Sequence, residues 1–435
     1  MSWARRFRLR QYVRGSLWVV PLAGGILGVA LGAGDLIVEK SASFPNLLTY
    51  SSSTASTLLA TIVGAAAALT GFVVTVTVLV VQMATGTFSA RYMRLWYRDR
   101  MLMAVLALLV GTLAFSFSVL RRVESNFVPN LGTTVAGLLL LVSLMVFLIF
   151  LDRFLHRLRP VAVASLVTRY VERDFERHEA SLAAEPDIFW GVFEERGARP
   201  AIVVRSEVRG AIQAMDIRGL VRWARKHGRL VVIRHTIGDF VPAGAVLIEV
   251  YGGSGSDQSQ ADKLGKMVAL GIERTIEQDP AFAVRIMVDI ADKALSAAVN
   301  DPTTAVQVID HLGDVLRLIG EIDLSRSRWT DERDATVGLV FPIRSWEDYL
   351  TLATTEIRCY GASAIQVMRR MRAMLEELHD EVREEHRSAI DEELARLDAT
   401  VARSFADSVD IDRASIADPQ GMGGRSAAVT RGRAR

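Results

Sequence analysis

The 435-residue sequence contains a single cysteine, Cys359, and lacks the motifs by which most catalytic and metal sites are recognised. One cysteine excludes an internal disulfide and a cysteine-rich zinc site. None of the seven histidines has a metal-ligand spacing such as His-Glu-x-x-His, and no nucleophile, kinase or dinucleotide-binding signature is present. We therefore expect no enzyme activity, no metal site and no cofactor.

Charged residues are scarce where the chain is most apolar. Half of the residues are hydrophobic and 23% are charged, and the two kinds are segregated along the chain. The arginines are scattered and the net charge is only +2, which argues against nucleic-acid binding. Because a helix needs about 20 apolar residues to cross a bilayer, four transmembrane helices are predicted. They lie at about residues 17–38, 57–82, 101–120 and 135–155.

The arginines predict the orientation of these spans, because positively charged loops stay in the cytoplasm. They cluster before the first span, between the second and third spans, and after the fourth. The connection between the first two spans has only Lys40 as a cation, whereas the third-to-fourth connection carries Arg121 and Arg122. We expect a plasma-membrane protein that has the lipid bilayer as a partner and both termini in the cytoplasm.

The second predicted span is rich in small and hydroxyl-bearing residues. Its candidate functional residues are Gly64, Thr70, Gly71, Thr75 and, near its end, Gln82. Small residues let membrane helices approach closely, so these positions could serve packing. Alternatively, they could line a narrow polar path, with threonine hydroxyls and Gln82 facing water. A path of this kind requires several copies of the chain, and we expect a homo-oligomer.

The rest of the chain predicts a cytosolic α+β domain. Residues 157–199 are predicted as a helical connector and residues 200–251 as a small β-rich subdomain. Residues 238–247 are similar to the turn-and-strand repeat of biotinyl- and lipoyl-type barrels, without their carrier lysine, so part of this subdomain is expected to be barrel-like. Residues 262–409 are predicted to be mainly helical, and residues 410–435 to be a disordered tail.

Oxygen-bearing side chains gather near two predicted helix starts, Asp279-Pro280 and Asp301-Pro302. Such side chains suit a hard cation or a polar ligand, and an unidentified small ligand or ion would then be a partner. The candidates are Gln278, Asp279, Asp289, Asn300, Asp301 and Thr303. The alternative is helix capping with buried hydrogen bonds between helices, which accounts least well for Gln278 and Asn300.

Residues 277–312, EQDPAFAVRIMVDIADKALSAAVNDPTTAVQVIDHL, resemble the signature of a bacterial family of predicted membrane proteins called domain of unknown function 2254. Ala297 stands where that family usually has proline, and Ala90 stands where it tends to have proline within Ser-Pro-Arg. The resemblance extends to about residue 400. It implies a bacterial inner-membrane protein and indicates no particular activity.

Two functions are compatible with this sequence. The first is an oligomeric channel or transport-related protein with a cytosolic regulatory domain. The alternative is a membrane-anchored interaction or signalling protein, in which the helices only anchor and oligomerise while the cytosolic domain binds a ligand or partner. Ion flux through the purified protein would discriminate between them.

Overall fold

In the computed structural model, the chain divides into two compact units. The first, here called the α+β unit, comprises Met1–Arg8 and Pro160–Arg435, and the second, the helical unit, comprises Leu9–Arg159. The structure describes residues 2–39, 49–87, 99–125, 127–157, 162, 164–173, 188–190, 199–252, 258–322 and 338–423.

The helical unit consists mainly of long apolar helices. After α1 (Trp3–Gly15), whose first residues belong to the α+β unit, come α2 (Val19–Glu39), α3 (Ser52–Thr87), α4 (Arg100–Leu120) and α5 (Asn130–Arg157).

Three of these helices are long and apolar enough to cross a membrane. Their apolar stretches are Ser52–Gln82, Met101–Leu120 and Asn130–Arg153, which correspond to the second, third and fourth predicted spans. The apolar stretch of α2, Val19–Asp35, is shorter. Helix length therefore does not confirm the predicted count of four.

Helix α4 is the centre of the helical unit, since it packs against α2, α3 and α5. Phe115 of α4 is buried together with Leu59 of α3 and Ala136 of α5. The hydroxyls of Thr112 and Ser143 are 3.0 Å apart in this interior, so α4 and α5 share a buried hydrogen bond. The predicted helices are thus joined into one bundle by apolar side chains and by a few satisfied polar ones.

Two sheets organise the first part of the α+β unit. The five-stranded sheet has the order β1-β8-β4-β6-β2 and the three-stranded sheet the order β5-β3-β7. Strand β8 is parallel to β1 and β4, and the other pairs are antiparallel. The strands are β1 (Ile188–Trp190), β2 (Ile202–Arg205), β3 (Gly210–Met215), β4 (Leu230–Ile233), β5 (Phe240–Val241), β6 (Val246–Tyr251), β7 (Val268–Gly271) and β8 (Gly338–Phe341).

The barrel expected within residues 200–251 is wrong for the described residues, whose strands form two open sheets. The tight turns form as predicted, with Gly238 and Gly244 at positive φ. However, β5 pairs with β3 in one sheet, while the next strand, β6, pairs with β2 and β4 in the other. Because the turn carries the chain from one sheet to the other, it closes no barrel.

Helices form the remainder of the α+β unit. Helix α6 buries Leu220 and Val221 in the core of the sheets, and α8 packs against α9 and α10. The helices are α6 (Ile217–His227), α7 (Gln258–Gly265), α8 (Pro280–Leu295), α9 (Pro302–Gly320), α10 (Trp346–Tyr360), α11 (Ile365–Glu381), α12 (Glu384–Ser404) and α13 (Ser408–Ala414).

The described part of the predicted disordered tail is folded. Helix α13 begins at Ser408, and the guanidinium of Arg369 donates to the carbonyl oxygens of Ile416 and Gly423 at 3.0 and 2.9 Å. Arg369 is a buried residue of α11, so these bonds join the tail to a helix about fifty residues earlier in the chain. Residues 424–435 lie outside the described residues, as does most of the predicted connector at 157–199 apart from helical residues 164–173 and strand β1.

Candidate functional site

Asp279 caps the first turn of α8 and is almost fully buried. Its Oδ1 accepts a hydrogen bond from the backbone N–H of Phe282 at 3.0 Å, and Oδ2 accepts from Nε and Nη2 of Arg274 at 3.1 and 2.9 Å. Burial raises the pKa of Asp279, while the Arg274 guanidinium acts in the opposite direction. The carboxylate is therefore satisfied by a cap and an ion pair.

Gln278 attaches the start of α8 to the three-stranded sheet. Its side-chain oxygen accepts from the backbone N–H of Met215 at 3.0 Å, and its Nε2 donates to the carbonyl oxygen of Met215 at 3.3 Å. The residue has a φ of 58°, in the left-handed region. The side-chain amide of Gln278 thus bonds to the backbone of β3. This contact explains the presence of Gln278, which helix capping alone does not.

The second Asp-Pro pair starts α9 in the same way. Asp301 accepts from the backbone N–H of Thr304 at 3.1 Å and from the Thr304 hydroxyl at 2.5 Å. Its own N–H donates to the carbonyl oxygen of Ala294 at 2.8 Å, so the cap is joined to the end of α8. Asn300 makes the turn between the helices at a φ of 49°, and both Asn300 and Thr303 are exposed.

Asp289 belongs to a charged cluster between α8 and α10. Arg285 Nε donates to Asp289 Oδ1 at 2.7 Å, its Nη2 lies 3.8 Å from Asp292 Oδ2, and it also pairs with Glu356 of α10. Burial and the neighbouring Glu356 carboxyl raise the pKa of Asp292 to about 8. The hydrogen bond to Glu356, above all, raises the pKa of Arg285. The raised pKa favours the protonated form of Asp292 near neutral pH, beside the Glu356 carboxyl.

The six signature candidates do not form one ligand shell. Asp279 and Asp301 cap helices whose starts lie at opposite ends of α8, which is about 24 Å long. Asp289 is in the charged cluster between them. Within the described residues, no group of three or more His, Cys, Asp or Glu side chains could hold a metal ion. The geometry instead supports helix capping at Asp279 and Asp301 and a bond from Gln278 to strand β3.

Sequence reasoning missed Arg285 and Glu356 as members of the charged cluster. The spacing of Arg285, Asp289 and Asp292 at i, i+4 and i+7 places them on one face of α8, and this signal could have been used. Glu356 follows 64 residues after Asp292, so no local pattern joins them. Their contact depends on the packing of α8 against α10.

Four of the five candidates in α3 share one face of the helix. Gly64, Gly71, Thr75 and Gln82 follow one another at intervals of about two, one and two turns, and all four are exposed. A Cβ placed on Gly64 or Gly71 would meet nothing within 4 Å in the described chain. The hydroxyl of Thr75 donates to the carbonyl oxygen of Gly71 at 2.9 Å.

Thr70 does not belong to this face. It is partly buried, and its hydroxyl donates to the carbonyl oxygen of Ala66 at 2.7 Å. Ala66 and Val73 are fully buried on the opposite side of α3, which faces the rest of the bundle. The exposed face formed by Gly64, Gly71, Thr75 and Gln82, here called the α3 outer face, therefore points away from the interior of the helical unit.

The glycines of α2 pack against α4. A Cβ on Gly24 would overlap the carbonyl oxygen of Ala107, and one on Gly28 would overlap that of Gly111. Gly32 is similarly close to the side chain of Ser118. Because residue numbers rise together along both helices, α2 and α4 run parallel. In α2, the small residues thus serve close helix packing.

The comparisons with known proteins agree on a family without an assigned activity. The family described as "Predicted membrane protein (DUF2254)" matches residues 14–377. Uncharacterized proteins from two strains of Mycobacterium tuberculosis and from Mycobacterium bovis are 30% identical over 441 residues, which cover 95% of this chain and 81% of each relative. No solved structure matches the chain.

Proposed function

Because the chain belongs to the DUF2254 family of predicted membrane proteins, we propose that it is an oligomeric channel or transport protein whose path is lined by the α3 outer face. The helical unit would assemble with several copies around this face. The α+β unit is larger than a membrane anchor requires, and we assign to it the control of the path.

The observation that carries this proposal is the chemistry of the α3 outer face. Glycines at 64 and 71 leave open space, while Thr75 and Gln82 supply oxygen and nitrogen atoms on the same side of the helix. Small and polar residues at these positions suit contact with water or with another copy of the chain. In an oligomer with α3 central, this face would surround the axis.

Helix α5 provides the contrast. Its exposed residues are mostly large and apolar, among them Leu138, Leu141, Met145 and Leu148, whereas α3 exposes Phe72, Val74, Val78 and Leu79 beside the glycines, threonine and glutamine of its outer face. The exposed face of α5 is suited to contact with lipid, because its apolar side chains pack against the hydrocarbon chains of the bilayer. The two helices therefore favour an arrangement with α5 at the periphery and α3 at the centre.

The parallel packing of α2 and α4 supports four membrane crossings. Gly24 and Gly28 lie beside Ala107 and Gly111, which are in the middle of the apolar stretch of α4. If α4 crosses the bilayer, α2 is then at the same depth and crosses in the same direction, and α3 returns the chain between them. With α5, the number of crossings is four.

The N-terminal residues support the same count. The backbone N–H of Ala4 donates to the carbonyl oxygen of Lys266 at 3.1 Å within the α+β unit. A chain whose start and end belong to one soluble unit crosses the membrane an even number of times. The arginines of the N-terminus and of the segment after α5 favour the cytoplasm for that side.

Ion flux through liposomes tests the proposal. Purified full-length protein would be reconstituted with a K⁺-sensitive and a Cl⁻-sensitive dye inside, and flux would be recorded with and without osmotic membrane tension. Gly71→Trp should block the flux by filling the open face, whereas the matched variant Leu141→Trp on α5 should not. Absence of flux under every condition, in protein shown to be folded and oligomeric, would refute the channel.

One observation favours the alternative of a membrane-anchored interaction protein. Phe240 on β5 is 65% exposed and Ile272, next to β7, is 94% exposed, and both strands flank β3 in the same small sheet. Exposed apolar residues on the two edge strands of one small sheet are candidates for contact with a partner protein. A partner that binds the wild type and not Phe240→Ser, in protein without any flux, would support this function.

A further inference from the structure

Helix α6 separates apolar and basic residues on two opposite faces. Its apolar side chains, Leu220, Val221 and Trp223, are buried against the sheets, where Asp216 caps the helix by accepting from the N–H of Gly219 at 3.0 Å. The helix itself contains no acidic residue. Its exposed side chains are all basic: Arg218, Arg222, Arg225 and Lys226. They follow the spacing i, i+4, i+7 and i+8, and so they form one continuous cationic face.

The N-terminus of the chain is held beside the start of this helix. Asp216, the cap of α6, donates its backbone N–H to the carbonyl oxygen of Met267 at 2.9 Å. The preceding residue, Lys266, accepts the N–H of Ala4. The residues that follow Ala4 add further exposed cations at Arg5, Arg6 and Arg8. These cations belong to the same unit as α6 and follow a residue that is bonded beside the partner of the α6 cap.

The chain is short between this point and the first apolar helix. Arg8 is the last N-terminal residue of the α+β unit, and α2 begins at Val19. Residues 9–18 would span at most about 35 Å even if fully extended. The covalent tether therefore keeps Arg8, at the N-terminal end of the α+β unit, within about that distance of the start of α2.

We propose that the exposed face of α6 binds the anionic phospholipid headgroups of the membrane in which the protein is anchored. Basic residues near an anionic leaflet each strengthen attachment roughly five-fold, and the attraction weakens with salt. Arginine is well suited to the task because its planar guanidinium binds phosphate oxygens in pairs. This inference is independent of whether α3 lines a path, since it requires only that the chain is anchored.

Headgroup quenching in nanodiscs tests this binding in the full-length protein. A fluorophore would be placed at Lys226→Cys, at the end of the face, so that its three arginines remain in place. A Cys359→Ser background removes the chain's own exposed thiol. Nanodiscs would contain phosphatidylcholine alone or mixed with phosphatidylglycerol, each with a trace of headgroup spin-labelled lipid. We expect quenching in the anionic nanodiscs that exceeds quenching in the neutral ones and disappears in high salt.

Two charge reversals complete the experiment. Arg222→Glu should abolish the additional quenching, whereas Arg403→Glu, an exposed position in the last turn of α12, should leave it unchanged. Circular dichroism and thermal unfolding would confirm that both variants are folded. Equal quenching in neutral and anionic nanodiscs, or full quenching in Arg222→Glu, would overturn the proposal.

Discussion

Gly28 of α2 lies against Gly111 of α4 so closely that a Cβ on Gly28 would overlap the Gly111 carbonyl oxygen. Gly28→Leu should therefore force the two helices apart. Overpacking of a close interface costs about 1–3 kcal/mol, and we expect a clear loss of thermal stability in detergent. Gly34→Leu is the matched control in the same helix, because a Cβ there meets nothing within 4 Å of the described chain. Equal losses in both variants would contradict the packing.

The four-crossing topology predicts the side of each connection. In a Cys359→Ser background, single cysteines at Ser2, Ser43 and Ser125 would be labelled in intact cells with an impermeant maleimide. Ser43→Cys and Ser125→Cys should react from outside, whereas Ser2→Cys should react only after permeabilisation. If α2 does not cross, Ser43→Cys will behave like Ser2→Cys.

The buried cap at Asp279 predicts a strong effect on stability. Asp279→Ala removes the acceptor for the Phe282 N–H and for the Arg274 guanidinium, and we expect a loss of roughly 3 kcal/mol in the free energy of unfolding. Thr303→Ala should have little effect because this side chain is exposed. Chemical unfolding of both variants gives the comparison, and a stable Asp279→Ala would show that the carboxylate serves something other than the fold.

The charged cluster predicts that stability falls as the pH rises. The folded-state pKa of Asp292 is raised from 3.8 to about 8 by burial and by Glu356, so the folded state holds a proton that the unfolded state releases. The stabilisation is complete below pH 4 and is lost as the pH rises through 8. Asp292→Asn, which resembles the protonated acid, should flatten the change of melting temperature between these pH values. An unchanged slope would contradict the raised pKa of Asp292.

Much of the fold could be predicted from local sequence. The spans of α3, α4 and α5 follow from apolar length, and the starts of α8 and α9 follow from the Asp-Pro pairs. The turn glycines at 238 and 244 were also evident from their sequence context. In each case the structural feature depends on residues that are close to one another in the sequence.

What the sequence could not predict depends on contacts between distant segments. The expected barrel is wrong because β5 and β6, on either side of the predicted turn, pair in different sheets, one of which also contains β8 from residue 338 onward. The side chain of Gln278 bonds to the backbone of Met215, and Glu356 pairs with Arg285. Each contact joins residues that are more than sixty positions apart in the sequence. Likewise, Thr70 and Gly71 are adjacent in the sequence. Which of the two faces the interior of the helical unit depends on where α4 and α5 pack.

The most direct test of the account is thiol modification of Thr75→Cys during flux measurement. In the Cys359→Ser background, a positively charged methanethiosulfonate reagent would be added to protein reconstituted in liposomes, with Leu141→Cys as the matched lipid-facing control. The account predicts that modification of Thr75→Cys reduces the flux and that Leu141→Cys continues to conduct after exposure to the reagent. Undiminished flux through fully modified Thr75→Cys would contradict the placement of α3 around the path.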